Sequence, residues 1–254
     1  MENTIACNLG SYRQFRASAY RNLAEIGLTN VEVPLPPPGE VAGTLAELER
    51  HGLTATTVMV RGDAAEDDAV ERFGRDLEGA REMGVSRVFT SVRAGEADVD
   101  VIYDRLRQIG DRAAELDILV CLETHPDLLE NGARARQTMD AVGHANIRVN
   151  FDTANVHYYN RDISATDELR QVLDCVEAVH LKDTNGGYKT WHFPALGEGV
   201  VDFTAVFAML NERGFYGPFT MELEGIEGED LDEAGVQKRV ADSLEHLRSI
   251  GCAA

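Results

Sequence analysis

Basic residues are scarce in this chain: 24 Lys and Arg stand against 44 Asp and Glu, for a formal net charge of −20 at pH 7. That balance opposes the counterion-release attraction that draws proteins to nucleic acid or anionic membrane, so neither is expected as a partner. Long apolar runs are missing too. No stretch approaches the roughly 18 residues of a membrane-spanning helix, and Met1-Glu2-Asn3-Thr4 lacks the basic and apolar regions of a signal peptide. A cytoplasmic protein is the expectation. The four cysteines, Cys7, Cys121, Cys175 and Cys252, show no Cys-x-x-Cys spacing and are expected to be reduced, structural side chains. No apolar run is followed by Gly-x-Gly-x-x-Gly or Gly-x-x-x-x-Gly-Lys-Ser/Thr, which leaves nucleotide chemistry without support. There is no Ser/Gly-rich linker either. The cluster Pro34, Pro36, Pro37, Pro38, Gly39 is too short for a domain hinge and reads as a stiff β/α loop. One domain over residues 1–254 is expected.

What is present is a rhythm. Short apolar runs alternate with three-to-four-residue apolar spacing from end to end, the pattern of a parallel sheet covered by helices. Eight strands are expected, at 4–9, 30–33, 54–60, 87–90, 118–123, 147–152, 176–181 and 218–222, with helices such as 12–26, 67–83, 100–116, 137–142, 202–213 and 236–250 between and after them. Gly27, Gly52, Gly84 and Gly214 each follow a helical pattern and precede a strand, where a left-handed residue can close the helix. Eight pairs in 254 residues predict one closed (β/α)8 barrel.

Four residues end successive apolar runs: Glu123 after Ile118-Leu119-Val120-Cys121-Leu122, Asp152 after Ile147-Arg148-Val149-Asn150-Phe151, His180 after Val176-Glu177-Ala178-Val179, and Glu222 after Phe219-Thr220-Met221. Their spacings of 29, 28 and 42 residues match about one β/α unit each, which places all four at C-terminal strand ends, where barrel enzymes keep their chemistry. Three carboxylates and an imidazole converging there would repel one another unless a divalent cation sat between them. Three oxygen donors and one nitrogen suit Mn²⁺ first, with Mg²⁺ or Co²⁺ as alternatives, and no cysteine is placed to compete. The residual charge favours a small neutral polyhydroxylated carbonyl substrate over a polyphosphate. A cation chelated by a carbonyl and its neighbouring hydroxyl acidifies the C–H bond between them. If Glu123 and Glu222 approach from opposite faces, one deprotonates and the other reprotonates, inverting a centre through an enediolate.

His125 lies two residues beyond Glu123 and Lys182 two beyond His180, so each can point to the same side as its predecessor. Both are candidate substrate-binding or acid groups; His157, for substrate binding, and His192 are weaker candidates. If His125 or Lys182 protonates a leaving oxygen, the same enediolate would expel a β-substituent, which makes a lyase. His51 is expected to meet a helix terminus, and His144 and His246 to lie at the surface. The acidic stretch of Glu224, Glu227, Glu229, Asp230, Asp232 and Glu233 reads as solvated surface. The segment 183–201, with Gly186-Gly187-Tyr188-Lys189-Thr190-Trp191-His192-Phe193-Pro194, is long for a β/α loop and is a candidate lid.

Several of these segments together resemble the xylose isomerase-like barrels, a family that includes ketose 3-epimerases, hydroxypyruvate isomerase, inosose dehydratase and dehydroshikimate dehydratase. They are Leu122-Glu123-Thr124-His125, Asn150-Phe151-Asp152-Thr153-Ala154-Asn155, Val179-His180-Leu181-Lys182-Asp183, Leu196-Gly197-Glu198-Gly199 with Asp202-Phe203, and Met221-Glu222-Leu223-Glu224. The resemblance implies that Glu123, Asp152, His180 and Glu222 hold the metal and that the two glutamates shuttle the proton. It departs from the ketose 3-epimerases at two places. They usually carry a histidine three residues after the metal-binding aspartate and an arginine six after the metal-binding histidine, where this chain has Asn155 and Gly186. The resulting expectation is a metal-dependent sugar isomerase or epimerase. A metal-dependent dehydratase or lyase acting on an inosose, a dehydroshikimate-like acid or a 3-keto-glycoside is the alternative, and a non-catalytic partner subunit is a third reading. The family's abasic-DNA nucleases are disfavoured by the net charge. Such barrels often form dimers or tetramers, so a homo-oligomer is compatible with the sequence.

Overall fold

The computed structural model describes residues 2–254; Met1, the first residue of the expected domain, lies outside the described residues. Eight parallel strands close on themselves: β1 (Ile5–Asn8), β2 (Asn30–Pro34), β3 (Thr54–Met59), β4 (Arg87–Thr90), β5 (Leu119–Glu123), β6 (Ile147–Asp152), β7 (Val176–Leu181) and β9 (Phe219–Met221). The cylinder is sealed where β9 pairs with both β7 and β1, with Cys7 opposite Met221 and His180 opposite Thr220. All eight expected strands are present, most within a residue of their expected ends, because β-branched runs bounded by glycine and polar turns leave little choice of state.

Helices α1 (Arg16–Glu25), α2 (Val41–Arg50), α3 (Ala69–Glu82), α4 (Val99–Glu115), α5 (Gly132–Val142), α6 (Asn155–Tyr159), α7 (Ala165–Val172), α8 (Phe203–Glu212) and α9 (Glu233–Ser249) follow the strands. Helices α4, α5, α8 and α9 start on side-chain caps: Asp98, Asn131, Asp202 and Asp232 accept the backbone N–H of Asp100, Arg134, Ala205 and Gly235 at 2.8–3.0 Å. In α4, Ile102, Leu106, Ile109 and Ala113 recur along one stripe and are wholly buried. Each large aliphatic chain there contributes about 1.5–3 kcal/mol by leaving water. Gly84 and Gly214 close α3 and α8 with φ of +76° and +88°, a backbone region costly for any residue with a Cβ. Helix α5 begins five residues earlier than its apolar pattern suggests, since Asn131 caps it there.

Two cores result. The larger lies between strands and helices, and a smaller plug of Phe89, Cys121 and Ala178 fills the barrel interior. Alternation along β5 and β7 points Cys121 and Ala178 inward, and therefore also Glu123 and His180, two residues further on at the rim. All four cysteines are free and buried, and burial pushes the Cys7 and Cys121 thiols up to about 12. Among the described residues no helix is long and apolar enough to cross a membrane.

The expected lid is an anchored cover. Asp183, wholly buried at the end of β7, accepts four backbone N–H groups, from Thr184 and Val201 on one oxygen (2.9 and 3.1 Å) and from Gly197 and Gly199 on the other (2.9 and 2.8 Å). A Cβ at Gly199 would meet Asp183 Oδ1 at 2.3 Å, so only glycine lets the chain come this close. The far side is tied by a small antiparallel pair, β8 (His192–Phe193) with β10 (Gly225–Ile226).

Candidate metal centre

Strand register places Asp152 opposite His180, and Glu123 and Glu222 end β5 and follow β9. Glu123, Asp152, His180 and Glu222 each offer one ligand atom, and those atoms all lie within 4.8 Å of one another. His180 Nδ1 is the hub, 3.0 Å from Glu123 Oε1, 3.3 Å from Glu222 Oε2 and 3.9 Å from Asp152 Oδ2. Metal–oxygen distances near 2.1 Å imply ligand separations of roughly 3 to 4 Å, so the set is within small adjustments of a shared centre.

The environment of Asp152 is the clearest sign of fit to a metal. One carboxylate oxygen accepts the backbone N–H groups of Ala154 and Asn155, both at 2.8 Å. The other, Oδ2, faces the cluster with no aligned hydrogen-bond donor among the described residues, Lys182 Nζ at 2.9 Å notwithstanding. A buried carboxylate oxygen is costly unless cationic groups face it, a role that a metal would share with the Lys182 ammonium.

Lys182 supplies part of the balancing charge that the sequence reading gave wholly to a metal. Its ammonium, 2 % exposed, lies 2.9 Å from Asp152, 2.6 Å from Glu222 and 2.8 Å from Glu224. Burial would strip its proton, but the surrounding carboxylates, Asp152 and Glu222 foremost, hold its pKa well above the ordinary lysine value. Burial likewise opposes charge on His180, yet Glu222 and Glu32, with hydrogen bonds that the ring donates to Glu123 and Glu222, outweigh it and raise the imidazole. For Glu222, burial is overcome by His180 and Lys182, which lower its carboxyl to about 2. Glu123 is held well below the usual range by His125 and His180 against its burial. Asp152 goes the other way: burial, with Glu222 and Glu123 nearby, prevails over Lys182.

Of the remaining candidates, His125 Nδ1 lies 3.0 Å from Glu123 Oε2, beside the cluster. His157 is elsewhere. It lines a separate cavity of about 370 Å³ with residues including Ser164, Gly186 and Val201, and none of the four ligand candidates borders that space. His192 is taken up in β8. His246, expected at the surface, is half-buried against Phe203, while His144 reaches Asp111 and His51 lies near Glu47 at the end of α2.

Sequence reasoning missed three groups. Glu32, 1 % exposed on β2, accepts from Asn8 Nδ2 (2.8 Å) and Thr57 Oγ1 (2.6 Å) and lies 3.1 Å from His180 Nε2. A carboxylate on the far nitrogen fixes the tautomer, and so which nitrogen of the ring would meet a metal. Its only signal was a lone glutamate between two valines, and a register shift at Val31/Glu32 helps aim it inward. Ser91 donates a short hydrogen bond to Glu123 Oε2. Glu224, assigned above to solvated surface, instead reaches Lys182, and its placement two residues past Glu222 was the available clue.

The profile of the xylose isomerase-like TIM barrel family matches residues 20–250. The chain is 28% identical over 228 residues to a ketose 3-epimerase of Arthrobacter globiformis, covering 78% of this chain and 74% of that protein. It is 29% identical over 183 residues to an L-ribulose-5-phosphate 3-epimerase of Salmonella paratyphi C, covering 63% and 59%. The chain thus spans about three fifths of that second relative's length. A crystal structure of D-psicose 3-epimerase with D-tagatose from Clostridium cellulolyticum superposes with a TM-score of 0.79 at 14% identity over 99% of this chain and 100% of that one, a likeness of fold. With closed barrel and profile agreeing over almost its whole length, the chain belongs to the xylose isomerase-like TIM barrel family.

Proposed function

We propose that this protein is a divalent-metal-dependent epimerase or isomerase that removes the proton beside the carbonyl of a small keto-sugar or polyol ketone. The observation that carries the reading is the convergence of Glu123, Asp152, His180 and Glu222 on one point, with Asp152 Oδ2 lacking an aligned donor. Mn²⁺ suits three oxygens and a nitrogen, with Mg²⁺ and Co²⁺ as alternatives. When bound, such an ion polarises a carbonyl and its neighbouring hydroxyl and so acidifies the C–H bond between them. Asp152 and His180 hold position, one through backbone N–H groups and the other through Glu32. Glu123 and Glu222 are the proton carriers. Lys182 keeps the Glu222 carboxylate ionised and oriented, and Ser91 and His125 do the same for Glu123. Similarity to two 3-epimerases supports epimerisation as the outcome.

The contact of His125 with Glu123 favours one second reading. An acid beside the base would protonate a leaving oxygen and turn the same intermediate toward elimination.

A panel of ketoses, inososes and 3-keto-sugars, incubated with the Mn²⁺ protein in D₂O and followed by proton NMR, tests both. The expected result is loss of the signal next to the carbonyl with growth of an epimer, whereas alkene resonances would mark elimination. A metal-loaded protein that exchanges no proton in any of them would contradict the proposal.

Glu32→Gln addresses the ligand set separately. It keeps the side chain's volume and loses the charge facing His180 Nε2, so Mn²⁺ affinity by calorimetric titration should fall by about 10–100-fold. Unchanged affinity would mean that Glu32 does not orient the ligand.

A further inference from the structure

An arc of aromatic rings rises from one side of the carboxylate cluster, and of its members the proton-transfer chemistry above uses only His125. It starts at His125, beside Glu123, whose ring lies 5.4 Å from that of Tyr159. Tyr159 meets Tyr158 edge-on at 5.1 Å, and Tyr158 meets Trp191 and Phe193, each at 5.9 Å. Trp191 and Phe193 are 5.2 Å apart, and Lys182 Nζ lies 5.2 Å over the Phe193 ring, which returns the arc to the cluster. Three separate segments contribute to it: the loop after β5, helix α6 and the cover that follows β7. Phe193 is the buried base and Trp191, 40 % exposed, the open edge. Tyr159 stays a neutral phenol, pushed up to about 12 by burial and then by Glu123.

We infer that this arc is a stacking wall for an uncharged six-membered ring, a pyranose or cyclitol, held with its carbonyl edge toward the cluster. The inference rests on the carbonyl-binding reading of Glu123, Asp152, His180 and Glu222. An aromatic face carries partial negative charge and attracts the C–H bonds that a rigid ring presents together on one side. An open chain has no lasting face of that kind and must give up rotational freedom to make one. Charge argues for a neutral ligand. Glu32, Glu123, Asp152, Glu222 and Glu224 crowd the site, and the cation set among them, Lys182, is already engaged by three carboxylates. A phosphate at the cluster end would have no free counter-charge.

Trp191 is the single tryptophan of the chain, so its fluorescence reports on the wall directly. The Mg²⁺-loaded protein, free of paramagnetic quenching, is titrated with myo-inositol, methyl β-D-glucopyranoside, sorbitol and fructose 6-phosphate. Saturable changes are expected with the two ring compounds at concentrations where the other two give none. In calorimetry Trp191→Ala should weaken ring binding about tenfold and leave Mg²⁺ affinity unaltered, while Trp191→Phe should restore most of the loss. Sorbitol or the phosphate ester binding as well as myo-inositol, or Trp191→Ala binding rings as tightly as the parent, would overturn the assignment. The same samples in D₂O separate it from the catalytic proposal. Ring binding through Trp191 without exchange of any keto substrate sinks the epimerase reading and keeps the wall. Exchange that is indifferent to Trp191→Ala does the reverse.

Discussion

Glu222→Gln should lower hydrogen exchange into substrate by about 10²–10⁴-fold, the range over which a positioned base accelerates proton transfer. The parent side chain is 17 % exposed and its carboxyl is lowered to about 2, with the charges of His180 and Lys182 overcoming burial, so it is ionised throughout the neutral range. Glutamine keeps the volume and can still accept from Lys182, but it cannot take a proton. Because the same carboxylate is a candidate ligand, the variant is also expected to bind Mn²⁺ more weakly. The rate must therefore be measured at metal concentrations shown by titration to saturate it. Retention of more than about a tenth of the parent rate under those conditions would remove Glu222 as a proton carrier. Glu123→Gln offers the internal comparison. If each glutamate serves one face of the carbon, the pair will differ in which substrate epimer loses exchange first.

The second large effect is structural. Removing the Asp183 carboxylate by substitution with alanine should cost about 3 kcal/mol or more, since four backbone N–H groups lose a charged acceptor and each such bond contributes roughly 1.5–3 kcal/mol before relaxation. For a chain of this size that corresponds to a fall in Tm of about 6–12 °C. Asp183→Asn should help little, because two donors face each carboxylate oxygen and the amide would turn its own N–H groups toward one pair. Solvent would also reach the 184–201 cover, seen as a red shift and easier quenching of Trp191. A Tm within 2 °C of the parent would place the anchoring elsewhere, with the bond from Leu196 N–H to Ser243 Oγ the next attachment to test.

Much of the site was legible because a barrel converts sequence period into geometry. Glu123, Asp152, His180 and Glu222 could be gathered without coordinates, since each stands within one residue of a strand's end and every strand of a closed parallel sheet ends at the same rim. The period of two extended this to His125 and Lys182, and should have extended it to Glu224, which was misassigned because it stands at the head of an acidic run. Glu32 was harder. It belongs to β2, far along the chain from His180, and only closure of the barrel brings the two within 3.1 Å. His157 shows the converse. A histidine just beyond a ligand strand turns to a different cavity because α6 begins at Asn155 and rotates it away. The cover could be recognised by its length, but its fixed attachment could not, because Asp183 finds its four donors up to 18 residues further on.

By itself, then, the order of residues determined the barrel, its rim and the set of groups that could meet there, because strand alternation and the β/α repeat are local properties written into apolar spacing. The tertiary structure alone decided which nitrogen of His180 faces the cluster, that Lys182 shares the charge of three carboxylates, and that aromatic rings from three separate segments meet beside it. Those are contacts between distant segments, and they are settled by how side chains pack and pair once the cylinder has closed.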